Sequence, residues 1–220
     1  MNLTLYLELL SDTTFGRGEG SAGTVDVEIE HDEKTGLPSV NGRRLKGLLV
    51  EECAELLYAT GSPGNLVSIA QKLFGTTGSS ADQEGILRVG KAQLPKAVRD
   101  AMIDDIQHNR VTPHEVLDAL TAVRRQTSVD GGSGAPKKGS LRAMRVIVRG
   151  ITLEAQLELL TDDKDMQATA CALLAGCAAS LRRAGAGRNR GRGWVNMYLN
   201  NVKEQAHYLS RFADYVGVHS

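Results

Sequence analysis

The chain has 220 residues and a mass of 23.6 kDa, with 26 Lys+Arg against 26 Asp+Glu and 41% apolar residues. That length supplies a sizeable core without disulfide staples, and the charge balance excludes a uniformly basic nucleic-acid binder or an acidic disordered tail. The three cysteines, Cys53, Cys171 and Cys177, have no CxxC spacing, which argues against a disulfide framework or a zinc site.

Residues 2–10 alternate Leu3, Leu5, Leu7 and Leu9 against Thr4, Tyr6 and Glu8, the pattern of a half-buried strand. Charge comes early and there is no basic leader, so neither a signal peptide nor a membrane span is expected and the predicted location is the cytoplasm. Residues 11–42 are glycine-rich without helical periodicity and read as a long functional loop, with a short strand at Thr24–Glu30. From 43 to 60 the pattern is helical, with Leu45, Leu48, Leu49, Cys53, Leu56 and Leu57 on one face and Gly61-Ser62-Pro63-Gly64 as the stop. A short helix is predicted at 66–74 and a strand at 86–94. Two helices follow at 96–107 and 113–122, the second behind Thr112-Pro113.

Residues 128–140 break all periodicity and read as a flexible loop. Strands follow at 141–149 and 151–160, then a helix at about 165–183, a Gly/Arg loop, a strand at 194–199 and an amphipathic helix at 202–216. The order β, α, β, insertion, β, β, α, β predicts an α+β fold. With one strand taken as insertion or edge, it is a ferredoxin-like βαββαβ frame with two helices on one face of an antiparallel sheet.

Four segments carry candidate chemistry. Gly16-Arg17-Gly18-Glu19-Gly20 is not a dinucleotide fingerprint, because its third glycine falls one position early and a strand-like run follows. Asp26, Glu28, Glu30, Asp32 and Glu33 form an acidic cluster. In a strand the first three share one face, expected to be solvated, and carboxylates of this kind suit Mg²⁺. Arg43, Arg44 and Lys46 then place cations at a helix start, where free N–H groups favour an anion.

The loop Gly185, Gly187, Arg188, Arg190, Gly191, Arg192, Gly193 is the strongest local signal. From Arg182 to Arg192 there are five arginines and no acid, a composition suited to phosphate. A second acid-free basic run holds Lys137, Lys138, Arg142, Arg145 and Arg149, which either line a nucleic-acid path or decorate an exposed sheet. The five histidines are scattered, and no HExxH or GxSxG is present.

In order along the chain, TGLPSVNGRRLKGLL (35–49), KLFGTTGSSADQEGILRVGKAQL (72–94), LTAVRRQTSVDGGSGAPKKGSLRAMRVIVRGITLEAQLEL (120–159) and GAGRNRGRGWV (185–195) resemble segments of the RAMP superfamily of CRISPR-associated proteins. The likeness is nearest to the Cas-seven-type backbone subunit of type III effector complexes. It departs from the family pattern at Asn41-Gly42-Arg43-Arg44, and Phe15-Gly16-Arg17 stands where a histidine is often found.

The resemblance implies one RRM-like domain over 1–220, with the 11–42 loop and a helical thumb-like insertion at about 95–140. Guide RNA, complementary target RNA, further copies of the chain and other effector subunits are the implied partners. Asp26 matches the position of the family's cutting residue, implying Mg²⁺- or Mn²⁺-dependent cleavage of target RNA. A non-cutting RNA-binding subunit is the first alternative. A metal-independent guide-processing endoribonuclease and a cofactor-binding enzyme are the others.

Overall fold

In chain order the elements are β1 (Asn2–Leu9), β2 (Ser39–Val40), α1 (Gly42–Ala59), α2 (Gly64–Phe74), β3 (Leu87–Val89), β4 (Ala92–Gln93) and α3 (Lys96–Gln107). They continue with α4 (Pro113–Leu120), β5 (Thr121–Gln126), β6 (Arg142–Ile147), β7 (Thr152–Leu159), α5 (Lys164–Ser180), β8 (Val195–Leu199) and α6 (Val202–Val216). This computed structural model describes residues 1–16, 25–76, 84–127, 131–135, 139–188 and 190–217.

The alternating leucines of β1 are buried, and the strand sits inside the sheet with antiparallel neighbours on both sides. Leu5 lies opposite Ala155 of β7 and opposite Leu199 of β8. The sheet order is β2-β4-β7-β1-β8, with β3 also paired to β7, and every pairing is antiparallel. Taking β1, α1, β3/β4, β7, α5 and β8 in turn gives the ferredoxin-like palm expected from the sequence. Odd-numbered residues of β1, β7 and β8 face the core, and even-numbered ones such as Tyr6, Glu8, Gln156, Asn196 and Tyr198 form the opposite face.

Helix α5 is apolar on every side because it is enclosed. It packs against α1, α2, α6 and β8, and its stretch from Ala170 to Ala178 is buried throughout. Helix α1 contributes Leu45, Leu49, Cys53 and Leu57 to the same core. Helix α4 begins where Thr112-Pro113 indicated, with Thr112 and Glu115 forming a capping box.

The structure differs from the sequence reading in several places: Ser39–Val40 is a short strand inside the expected loop, and of the strand expected over 24–30 Val27 and Ile29 form isolated bridges. The strand expected over 86–94 is two short strands, interrupted at Gly90, whose N–H donates to Gln156 O at 2.8 Å. Helix α4 stops at Leu120, and Thr121–Gln126 is a strand with no counterpart in the sequence reading. It pairs only with β6 in a separate two-stranded sheet, so β6 is the strand that lies outside the palm.

Candidate nucleic-acid interface

The charged blocks meet around the segment that leaves β1. Thr13 exchanges backbone hydrogen bonds with Ile147 of β6, its N–H reaching Ile147 O at 3.0 Å and its carbonyl accepting from Ile147 N at 2.9 Å. Thr14 O accepts from Ala186 N in the Gly/Arg loop at 2.8 Å, and Thr14 Oγ1 donates to Arg145 O at 2.9 Å. Gly16 bridges Ile29, and Gly16 O accepts from Arg44 Nη2 at 2.5 Å. Buried Thr13 and Thr14 thus join β6 and the Gly/Arg loop, and Gly16 joins the acidic segment and the start of α1.

Arg43 and Arg44 are exposed on one side of a cleft of about 540 Å³, with Phe15, Gly16, Glu30 and Ser39 also lining it. Asn41 caps α1 by accepting from Arg43 N at 2.9 Å, and no acid occupies the first turn. Ser39 is 3% exposed, and its hydroxyl has no hydrogen-bond partner among the described residues. The one carboxylate on the wall, Glu30, is held by Lys91 at 3.0 Å. A basic helix start with a spare buried hydroxyl suits an anion.

Lys46 does not join this wall. Its Nζ donates to Leu87 O at 3.1 Å, tying α1 to β3, and burial holds its ammonium below the ordinary lysine range, partly offset by Glu84.

In the second loop, close packing fixes two glycines. At Gly185 (φ +82°) a Cβ would lie 2.5 Å from Thr14 O, and at Gly193 (φ +72°) it would lie 2.2 Å from Ala184 O. A Gly193→Ala variant is therefore expected to lose on the order of 3 kcal/mol through left-handed strain and the clash. The measurement is its urea midpoint, and a midpoint equal to that of the parent protein refutes the assignment. Gly187 and Gly191 form the turn between these anchors.

The turn presents Arg188 and Arg190 to solvent, with Arg188 reaching Glu51 of α1 at 3.2 Å. Arg192 Nη1 lies 2.8 Å from Met144 Sδ, and the Arg183 guanidinium lies 3.9 Å from the centre of the Trp194 ring. Arg142 is exposed at the start of β6. Lys137, Lys138, Asn189 and the 17–24 part of the first glycine loop lie outside the described residues.

The acidic segment is not the uniformly solvated face that its alternation suggests. Glu28 is 5% exposed, and its Oε1 accepts from Arg145 Nε at 3.0 Å and from Ile29 N at 2.9 Å. Arg145 is consequently not on a nucleic-acid path; it also donates to Thr121 Oγ1 at 3.1 Å. Val27 pairs with Met144, so the segment runs alongside β6 and its side chains follow that contact.

Asp26 remains exposed. Its N–H donates to Ala143 O at 2.8 Å, and its Oδ2 accepts from Ala143 N at 2.6 Å. Oδ1 has no partner among the described residues. No group of three or more His, Cys, Asp or Glu able to hold a metal occurs among the described residues.

The sequence reading passed over Arg183, Trp194 and the Glu28–Arg145 pair. A signal existed for Trp194, the chain's single tryptophan, directly beside the arginine block. None existed for Glu28 and Arg145, which lie 117 positions apart. No helix among the described residues is long and apolar enough to cross a membrane.

Comparison with known proteins agrees with this architecture. The family model of the RAMP superfamily matches residues 6–196. No curated protein matches the chain in sequence. Among solved structures, the fold is similar to a chain of the Type III-B Cmr-beta complex bound to cognate target RNA. The TM-score is 0.65 at 12% identity, covering 93% of this chain and 98% of that one. A chain of Type III-B Cmr-beta in the apo state is also similar, with a TM-score of 0.60 at 13% identity and the same coverage.

Proposed function

The chain belongs to the RAMP superfamily, and on that premise we propose that it is an RNA-binding backbone subunit of a type III CRISPR effector that cleaves complementary target RNA. The observation that carries the RNA-binding part is the convergence on residues 12–16. The Arg43/Arg44 cleft, the Arg188/Arg190 turn and Arg142 all join this one buried segment or the strand beside it. Zero net charge is then a whole-chain sum that hides a local cluster of arginines. In this reading guide phosphates lie along those arginines and the glycine turn. The insertion formed by α3, α4 and the β5–β6 hairpin wedges between bases.

Association is tested with full-length protein and single-stranded RNA over a series of salt concentrations. Affinity should fall steeply as salt rises. The Arg43→Ala/Arg44→Ala double variant should flatten the log–log slope by about 1.4, the value for two lost phosphate contacts on a single strand. Binding that ignores salt overturns the RNA-binding reading, and an unchanged slope in the variant removes the cleft from it.

For cleavage, Asp26 offers one oxygen held in place and one open. The open oxygen takes the proton of a target 2′-OH as that oxygen attacks its own phosphorus in line. The P–O5′ bond breaks and the leaving O5′ takes a proton from water, giving a cyclic phosphate and a 5′-OH. Mg²⁺ or Mn²⁺ would neutralise charge on the phosphate. Among the described residues Asp26 would be the carboxylate offered to it, since Glu28 is committed to Arg145 and Glu30 to Lys91, and phosphate and water oxygens would complete the shell.

A second reading, an RNA-binding subunit that does not cut, is favoured by one observation: both the backbone and the carboxylate of Asp26 already bond Ala143. The histidine-based alternative finds less support. His108 and His114 lie on the insertion paired with Asp104 and Asp118, and His31 stands apart beside Pro38.

A further inference from the structure

Tryptophan buries a large apolar area when it enters a core. The only tryptophan of this chain does not. Trp194 keeps 41% exposure even though the Arg183 guanidinium is stacked over its ring at 3.9 Å. Its position is well fixed: Trp194 bridges Arg183 on one side, its N–H donates to Ser11 Oγ at 2.8 Å, and its carbonyl accepts from Leu10 N at 2.9 Å. The β1–β8 register, with Leu9 opposite Val195, sets Leu10 opposite Trp194 on the face away from the helices. Leu10 is itself 58% exposed. A planar aromatic, a planar cation and an apolar neighbour are thus held together at one end of the open sheet face.

The surroundings indicate the occupant. Five arginines between 182 and 192 lead into this patch. Of the neighbouring acids, Glu8 is occupied by Asn196 Nδ2 at 2.8 Å and Tyr198 OH at 3.2 Å, and Asp12 is held by Arg124 at 2.7 Å. Aromatic and guanidinium planes stack unpaired bases, and neighbouring arginines take the phosphates of the same strand. A cationic ligand is disfavoured, because a guanidinium already covers one ring face. We propose that Trp194, backed by Arg183, is a stacking platform for an unpaired base of single-stranded RNA. The proposal rests on the RNA-binding reading above and adds a base contact to its phosphate contacts.

The experiment uses the full chain freed of nucleic acid and two end-labelled probes. One is a mixed-sequence single-stranded RNA, and the other is an abasic ribose-phosphate chain of equal length. Label anisotropy reports binding, and the emission of the single tryptophan reports the platform. RNA should bind and quench that emission, whereas the abasic chain should bind without quenching. Trp194→Ala should weaken RNA binding about tenfold while leaving abasic affinity and thermal stability unchanged, and Trp194→Phe should restore most of the loss.

RNA binding without quenching, in the unsubstituted protein, overturns the platform and leaves the phosphate-binding reading intact. Failure of both probes to bind overturns that reading and the platform with it. Emission that follows protein concentration in the absence of RNA assigns the patch to another protein chain, which also overturns the proposal.

Discussion

An Asp26→Asn substitution is expected to lower target-RNA cleavage by at least about 10²-fold while guide binding and assembly continue. The choice of Asn matters because of the local geometry. Asp26 Oδ2 accepts from Ala143 N, and an amide oxygen can accept the same bond, so the anchoring to β6 survives. The capacity to take a proton and the negative charge at the open oxygen are lost. Asp26→Ala removes both functions, so a comparison of the two separates a chemical role from a structural one. The measurement is single-turnover cleavage of complementary RNA by the guide-loaded assembly in Mg²⁺, with assembly followed in parallel. Chelation by EDTA should stop the parent reaction to the same extent. Unchanged cleavage in the Asn variant removes Asp26 from the chemistry, and cleavage that persists in EDTA removes the divalent ion.

The palm was legible because its strands bury one face each. Leu3, Leu5, Leu7 and Leu9, like Leu153, Ala155, Leu157 and Leu159, alternate with polar residues against the helices. The β5–β6 hairpin gave no such signal. Residues Thr121–Gln126 are mostly partly or fully exposed, follow α4 without a break and pair on a single side within their own two-stranded sheet. Periodicity responds to burial, and there is little burial to respond to.

The candidate site divides along the same line. Blocks of like charge were readable from composition, but the segment that gathers them was not. Thr13, Thr14 and Gly16 join them mainly through their backbone and carry no charge. Sequence proximity also placed Lys46 with Arg43 and Arg44. Two positions on from Arg44, Lys46 lies on the other side of the helix, toward β3, where Leu87 O takes its ammonium. The acids from 26 to 33 looked equivalent along the chain; contact with β6 sets Glu28 inward and leaves Asp26 open.

That division of labour between Glu28 and Asp26 yields a stability effect as large as that expected at Gly193. The Glu28 and Arg145 side chains are 7% and 14% exposed and meet at 3.0 Å. Removing one partner of a buried pair strands the other's charge, so Glu28→Ala should cost about 3 kcal/mol. The lower end of the usual range applies because Asp118 lies 3.7 Å from Arg145 Nη1 and Thr121 Oγ1 remains bonded to it. Replacing both partners by apolar residues of similar volume, as in Glu28→Leu/Arg145→Met, removes the stranded charge. It should be less destabilising than Glu28→Ala alone. Urea unfolding of the two variants measures the difference, and a double variant weaker than the single one refutes the ion-pair account. Because Glu28 fastens to β6 the same segment that carries Asp26, the Ala variant should also lower cleavage in the assembly under conditions where it remains folded. The double variant keeps the Val27–Met144 and Asp26–Ala143 pairing and should recover part of that loss. Recovery of stability without recovery of cleavage would mean that the charge pair itself, rather than the fastening it provides, sets the position of Asp26.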